Sequence, residues 1–300
     1  MAKTHPDGRV LRRVGVLLAY DGFSAWKQRL PGSELAMSAN LNGKVAVVTG
    51  ASRGIGRATA IALGRCGASV VVNYRSHPDE ADEVVRQIEE QGSQAIAVAA
   101  DVADLDQVQG LIQSAIDRFG RLDIAISNAA YSDREPFYKA DIKAFRRTVD
   151  VTMWGAFHLL RSASNQLIQQ GEAGVIVLVS SPHAFIPAPL AMAYNMSKAA
   201  IEHMGKTAAI ELSPFKIRLN IIQPGWTDTP GERKFASEET LEQAGAHIPL
   251  GRLGTAEEMA EGILFLCDPK NEYMTGATLL IDGGISLPWW AARGSAAPSA

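Results

Sequence analysis

Tyr194 and Lys198, in the stretch YNMSK, stand four residues apart, so on a helix they share one face a turn apart. Two readings are open at this level: neighbours on a helix surface, or an acid/base pair in which an ammonium tunes a phenol. The second is chemically useful, because a free tyrosine titrates near ~10 and needs a nearby cation to act as a base at neutral pH. A second candidate is the stretch TGASRGIG, residues 49–56, which follows an apolar strand pattern and opens a helical one. Gly50 permits a tight turn, Gly54 lets backbone approach a diphosphate, and Gly56 lets helix and strand pack closely. The helix start adds free N–H groups and a positive dipole end. With Ser52, Arg53 and Ile55 between its glycines, the loop is a candidate dinucleotide cradle.

The rest of the chain must bring that loop and that helix together. From Lys44 onward, short apolar runs rich in Val and Ile alternate with helical patterns. The runs are KVAVVT, SVVVNY, QAIAVAA, LDIAIS, GVIVLVS, IRLNIIQ and GATLLID, apolar on both faces as buried parallel strands are. Helical patterns cover residues 79–91, 105–119, 141–169 and 193–212, and another begins near Ala256. Right-handed crossovers then predict an α/β single domain over residues 41–284: a doubly wound, seven-stranded parallel sheet with three helices on each face. Its site is expected at the carboxyl ends of the strands.

Composition excludes several function classes. At 300 residues and 47% hydrophobic, the chain can bury a large core. A formal net charge of -3 leaves no basic excess to neutralise nucleic-acid phosphates or an anionic membrane, and no apolar run reaches the length of a membrane span. The two cysteines, Cys66 and Cys267, lie far apart in apolar surroundings, which suits buried small residues in a reducing, cytoplasmic compartment. Nothing calls for a metal. Residues 1–40 hold six basic residues against three acidic ones, and VGVLLAY after Arg12 and Arg13 is short for a signal peptide. This stretch reads as a poorly ordered extension, and residues 285–300 as a fraying tail.

Taken in order, TGASRGIG, Asp101–Val102, Asn128–Ala129–Ala130, Ser181, YNMSK and PGWTDT (residues 224–229) resemble the short-chain dehydrogenase/reductase family, over roughly residues 41–284. The resemblance implies a Rossmann-type fold and hydride transfer between a nicotinamide cofactor and a carbonyl or secondary alcohol. It implies that Tyr194 is the acid/base and that Lys198 holds the nicotinamide ribose and lowers the phenol's pKa. Ser181, thirteen positions before Tyr194, would hold the substrate oxygen, with Ser180 its rival. Asp101 and Val102 would flank the adenine, and Asn128, Ala129 and Ala130 the ribose and nicotinamide side. Pro224, Gly225, Thr227 and Thr229 would clasp the carboxamide and diphosphate. Two positions depart from the pattern: Ala130 replaces a glycine, and Thr152 replaces an asparagine whose bound water relays protons from the lysine.

Cofactor choice is read at the end of the second strand. A carboxylate there would repel a 2′-phosphate; Tyr74 and Arg75 stand there instead, with Arg53 in the glycine loop, so NADP is favoured and NAD remains possible. Residues 226–255, polar and punctuated by glycine, are the expected substrate lid. The family members most alike are glucose 1-dehydrogenases and 3-oxoacyl carrier-protein reductases, so a sugar or polyol is the first substrate reading and an acyl-thioester carbonyl the second. A non-catalytic dinucleotide sensor is a third, distant one. His183 and Trp226 are candidate substrate contacts. The helical segments at 141–169 and 193–212 carry more apolar surface than covering a sheet requires, and the resemblance implies that they pair across a two-fold axis in a homodimer or homotetramer.

Overall fold

The computed structural model describes residues 39–235 and 237–288; the readings made for residues 1–38 and for the tail beyond 288 lie outside them. The strands are β1 (Val45–Val48), β2 (Ser69–Tyr74), β3 (Ala95–Ala99), β4 (Ile124–Ser127), β5 (Gly174–Val179), β6 (Ile217–Pro224) and β7 (Thr278–Ile281). The helices are α1 (Gly54–Arg65), α2 (Pro78–Glu90), α3 (Leu105–Phe119), α4 (Ile142–Val149), α5 (Gly155–Gln170), α6 (Met192–Leu212), α7 (Glu238–Ala246) and α8 (Ala256–Cys267). The strands form one sheet in the order β3-β2-β1-β4-β5-β6-β7, and all its pairings are parallel.

The strands read as continuous apolar runs because both faces of the sheet are covered. Ala46 and Val48 lie in a core shared with α1, α2 and α8. Val45 and Val47 point the other way, into a core shared with α3, α5 and α6. Three helices per face is the expected arrangement. The chain order reverses between β1 and β4, so the loops leaving those two strands diverge and open a crevice at their carboxyl ends. Cys66 and Cys267 are buried and unpaired.

Two segments are more structured than their sequence suggested. The helical run expected over 141–169 contains a π-helical turn, Asp150–Trp154, between α4 and α5. At this turn the buried Thr152 hydroxyl donates to the Tyr131 carbonyl at 2.8 Å and accepts from the Tyr131 N–H at 3.1 Å. Such turns commonly mark functional sites; this one fixes the loop that leaves β4. The lid segment holds α7, which Ser237 caps by accepting from the Thr240 N–H and which anchors through buried Leu241. Among the described residues, no helix is long and apolar enough to cross a membrane.

Candidate active site

The glycine loop is held open from below. Asn128 donates from Nδ2 to the carbonyls of Thr49 (2.9 Å) and Gly50 (3.2 Å), while the Thr49 hydroxyl accepts from the N–H groups of Asn128 and Ala129. Asn73, buried at the end of β2, accepts from the Gly50 N–H at 3.1 Å and donates to the carbonyls of Tyr74, Val98 and Ala100. It is the functional residue the sequence reading missed; the signal was one amide in an otherwise apolar strand. Gly50 has φ +61°, and a Cβ there would lie 3.0 Å from the Ala129 Cα. Above the loop, Helix α1 starts at Gly54 with no side-chain cap and no acid in its first turn. The cradle therefore presents unpaired N–H groups and a positive dipole end, with no side chain filling it, which fits a dinucleotide diphosphate. Thr229, from the segment after β6, closes the far side within van der Waals reach of Gly54.

At the end of β5 the three chemical side chains converge. Lys198 is buried and donates from Nζ to the Val179 carbonyl at 2.6 Å. Ser180 donates to the Lys198 carbonyl at 3.3 Å, so it knits strand to helix. Its neighbour Ser181 accepts from the His183 N–H at 3.3 Å and lies on the Tyr194 side, where its hydroxyl favours the phenolate. The Lys198 ammonium nitrogen sits 5.3 Å from the Tyr194 ring centroid. Just before α6, Leu190 holds a left-handed φ of 65° while its carbonyl accepts from the Glu135 N–H, tying the β4 loop to the helix that carries Tyr194.

Burial sets the electrostatics of both Tyr194 and Lys198. Burial pushes the Tyr194 phenol up to about 12; Glu232 adds to this, while Arg134 and the Ser181 hydrogen bond oppose it. Burial likewise draws Lys198 down to about 7, offset in part by Glu202. The same desolvation that disfavours phenolate thus also disfavours ammonium. Lys198 is charged in the unfolded chain up to about pH 10.5 but only below about pH 7 when folded. The unfolded state binds more protons in that window, so this group makes stability rise with pH across it. Lys198→Met should be stabilising relative to the wild type below pH 7, with the Tm difference shrinking toward pH 10.5. A pH-independent difference in thermal melts would contradict a buried, titrating ammonium.

A sequence profile of the family described as enoyl-(acyl carrier protein) reductase matches residues 50–286. The chain is 38% identical to an L-rhamnose 1-dehydrogenase (NAD(P)(+)) of a Sphingomonas species, over 82% of this chain and 97% of that one. It is 35% identical to glucose 1-dehydrogenase 2 of Bacillus subtilis, over 84% and 98%. It is also 39% identical to a 3beta-hydroxysteroid dehydrogenase of Eggerthella lenta, over 83% and 95%. The chain belongs to the short-chain dehydrogenase/reductase family. A solved 7α-hydroxysteroid dehydrogenase, complexed with NADH and 7-oxo glycochenodeoxycholic acid, superposes with a TM-score of 0.77 at 33% identity, over 82% of this chain and 96% of that one. The protein is accordingly a nicotinamide-dependent oxidoreductase acting on CH–OH groups.

The remaining expected residues of this short-chain dehydrogenase fall into two groups. Some are at or near the surface: exposed Ala130 and Arg75, half-buried Tyr74, and Trp226, whose indole donates to Glu232 at 3.2 Å. His183 packs edge-on against Tyr194, with ring centroids 5.4 Å apart. Others are committed to the protein. Arg53 pairs with Glu80 at 2.6 Å, and Asp101 accepts from Arg147 at 2.6 Å. The Val102 side chain is buried against Gly155 of α5. Gly225 packs on the Asp282 Cα, Pro224 pairs with Ile281 in the sheet, and the Thr227 hydroxyl donates to the Gly225 carbonyl. The Thr152 hydroxyl has given its one proton to Tyr131, so the contact it makes is a loop clamp, and a relay could use only its remaining lone pair.

Proposed function

We propose that the protein oxidises a sugar or polyol hydroxyl, or reduces the matching carbonyl, with Tyr194 exchanging the proton, Ser181 orienting the substrate oxygen and Lys198 positioned to hold the nicotinamide ribose. The cofactor would supply the hydride acceptor or donor. Its diphosphate would rest on the glycine loop and the start of α1, with Thr229 above it. In the reductive direction the raised phenol pKa keeps Tyr194 protonated and ready to donate. In the oxidative direction, cationic charge brought next to the phenol must offset its desolvation before it can accept the proton.

The observation that carries the sugar reading is the polar lining beside Tyr194. Asn195 donates to the Ala188 carbonyl, so its Oδ1 must accept from His183 Nδ1 at 2.8 Å. That puts the ring proton on Nδ1 and leaves Nε2 as an acceptor; burial lowers the His183 pKa and keeps it neutral. Such an acceptor suits a second hydroxyl. Two relatives named for sugars support the reading; a relative named for a steroid supports the wider class of secondary alcohols. Initial rates with NADP and NAD on aldoses, polyols, steroid alcohols and 3-oxoacyl thioesters test it. Turnover confined to steroids or thioesters would overturn it.

NADP is the preferred cofactor in this proposal. Arg75 is exposed at the end of β2, and the partly exposed Arg53–Glu80 pair is worth at most ~1 kcal/mol, so a phosphate can displace it. Arg75→Asp should weaken NADP binding roughly 10- to 100-fold, the worth of one charge-assisted contact, and NAD binding far less. Equal losses by titration calorimetry would remove Arg75 from phosphate recognition. The proposed setting is the cytoplasm, as a homodimer or homotetramer built on the exposed Trp154, Phe157 and Ile168 around α5 and Met196 and Ile210 on α6. Sedimentation should show no monomer at micromolar concentration.

A further inference from the structure

Arg134, in the loop after β4, has no role in the reaction described above, yet it stands at its edge. Its guanidinium lies over the Phe235 ring, 4.9 Å from the centroid, where the segment after β4 meets the segment after β6. Its Nε is buried and has no hydrogen-bond partner among the described residues. Among the described residues no carboxylate pairs with it either, in contrast to the other arginines that are at least half-buried. Arg53 and Arg147 hold carboxylates, Arg121 holds two, Arg57 holds the Gln87 carbonyl oxygen, and Arg218 holds three backbone carbonyls. Burying a guanidinium N–H without a partner is costly, and native structures complete most such groups with protein, water, an ion or a ligand.

The position is also rigid. Thr152 clamps both backbone polar groups of Tyr131 on one side of Arg134, and the Glu135 N–H binds the Leu190 carbonyl on the other. Its charge is felt at both His183 and Tyr194. The acid facing the same space, Glu232, is engaged by the Trp226 indole and makes no ion pair with Arg134.

We propose that Arg134 is a specificity residue that receives an anionic group of the substrate, so that the preferred substrate is a sugar acid or other polyhydroxylated carboxylate rather than a neutral sugar. The planar fork of a guanidinium fits a carboxylate with two parallel hydrogen bonds, and stacking on Phe235 leaves its edge free to make them. This rests on the sugar reading above and narrows it.

The test is kcat/KM for paired neutral and acidic sugars: glucose against glucuronate and gluconate, and galactose against galacturonate. The wild type should favour an acid over its neutral counterpart. Arg134→Gln should lower that acid-to-neutral ratio about 10- to 100-fold, mainly through KM for the acid, and Arg134→Lys should retain part of it. Thermal melts of both variants check folding. A ratio unmoved in Arg134→Gln overturns the proposal. So does an equal fall for acid and neutral substrates, which would make Arg134 a strut for Phe235. If turnover is confined to steroid alcohols or thioesters, the sugar reading fails by itself. The same ratio is then measured on acidic and neutral members of the class that reacts, and the anion site stands or falls on that ratio alone.

Discussion

Tyr194→Phe should lower kcat by roughly 10²–10⁴, the usual worth of a positioned general acid/base, while binding of the nicotinamide nucleotide survives. The substitution removes one oxygen and leaves the ring, its edge contact with His183 and the packing of α6 in place. What is lost is the hydroxyl proposed to give or take the proton at the reacting oxygen. Water is a poor substitute, because it is not held at a fixed position beside the reacting oxygen as the phenol is. Cofactor titration by fluorescence should give an affinity within a few-fold of the wild type. Substantial turnover in the variant would mean that another group moves the proton, and the assignment of Tyr194 would fall.

Gly56→Ala should abolish nucleotide binding at ordinary concentrations. A Cβ at this position would lie 2.3 Å from the Gly50 carbonyl oxygen and 2.5 Å from Asn128 Nδ2. Neither can retreat cheaply: the first is backbone in the turn, and the second is fixed by its hydrogen bonds to the Thr49 and Gly50 carbonyls. The loop must open, which takes the Gly50 N–H from Asn73 and spoils the alignment of α1 with the diphosphate. Overpacking of this kind also costs stability, on the order of 1–3 kcal/mol. The control is Gly110→Ala in α3, where a Cβ meets nothing within 4 Å. There, removing a helical glycine should be neutral or stabilising by about 0.5–1 kcal/mol, with nucleotide binding kept. Calorimetric titration of both variants separates loop closure from a general intolerance of alanine.

Much of the molecule was legible in its sequence, and for definite reasons. Strands buried on both faces must be apolar throughout, so β2 was bounded to the residue from the run SVVVNY, and α3 from its spacing of apolar positions. Glycine is required where backbone approaches backbone or phosphate, so TGASRGIG announced both a turn and a ligand. The pairing of Tyr194 with Lys198 is a helical repeat and needed no fold to be seen. These are local properties, set by a residue's own conformational and solvation preferences.

Tertiary structure decided everything that depended on which partner a side chain met. Ser181 and Ser180 differ in their partners, the first accepting from the His183 N–H and the second donating to the Lys198 carbonyl. Asn73 was one residue of the run SVVVNY until the Gly50 N–H lay 3.1 Å from its Oδ1. Thr152 was one polar residue in a helical run until its hydroxyl lay against both backbone polar groups of Tyr131, 21 positions away. Arg53 was an available cation until Glu80 came alongside, and Arg134 was one charge in a polar loop until the packing buried its Nε without a partner. The pKa values of Tyr194 and Lys198 belong here too. The sequence shows a phenol beside an ammonium, but the sign of each shift comes from desolvation, which exists only once the chain has closed around them.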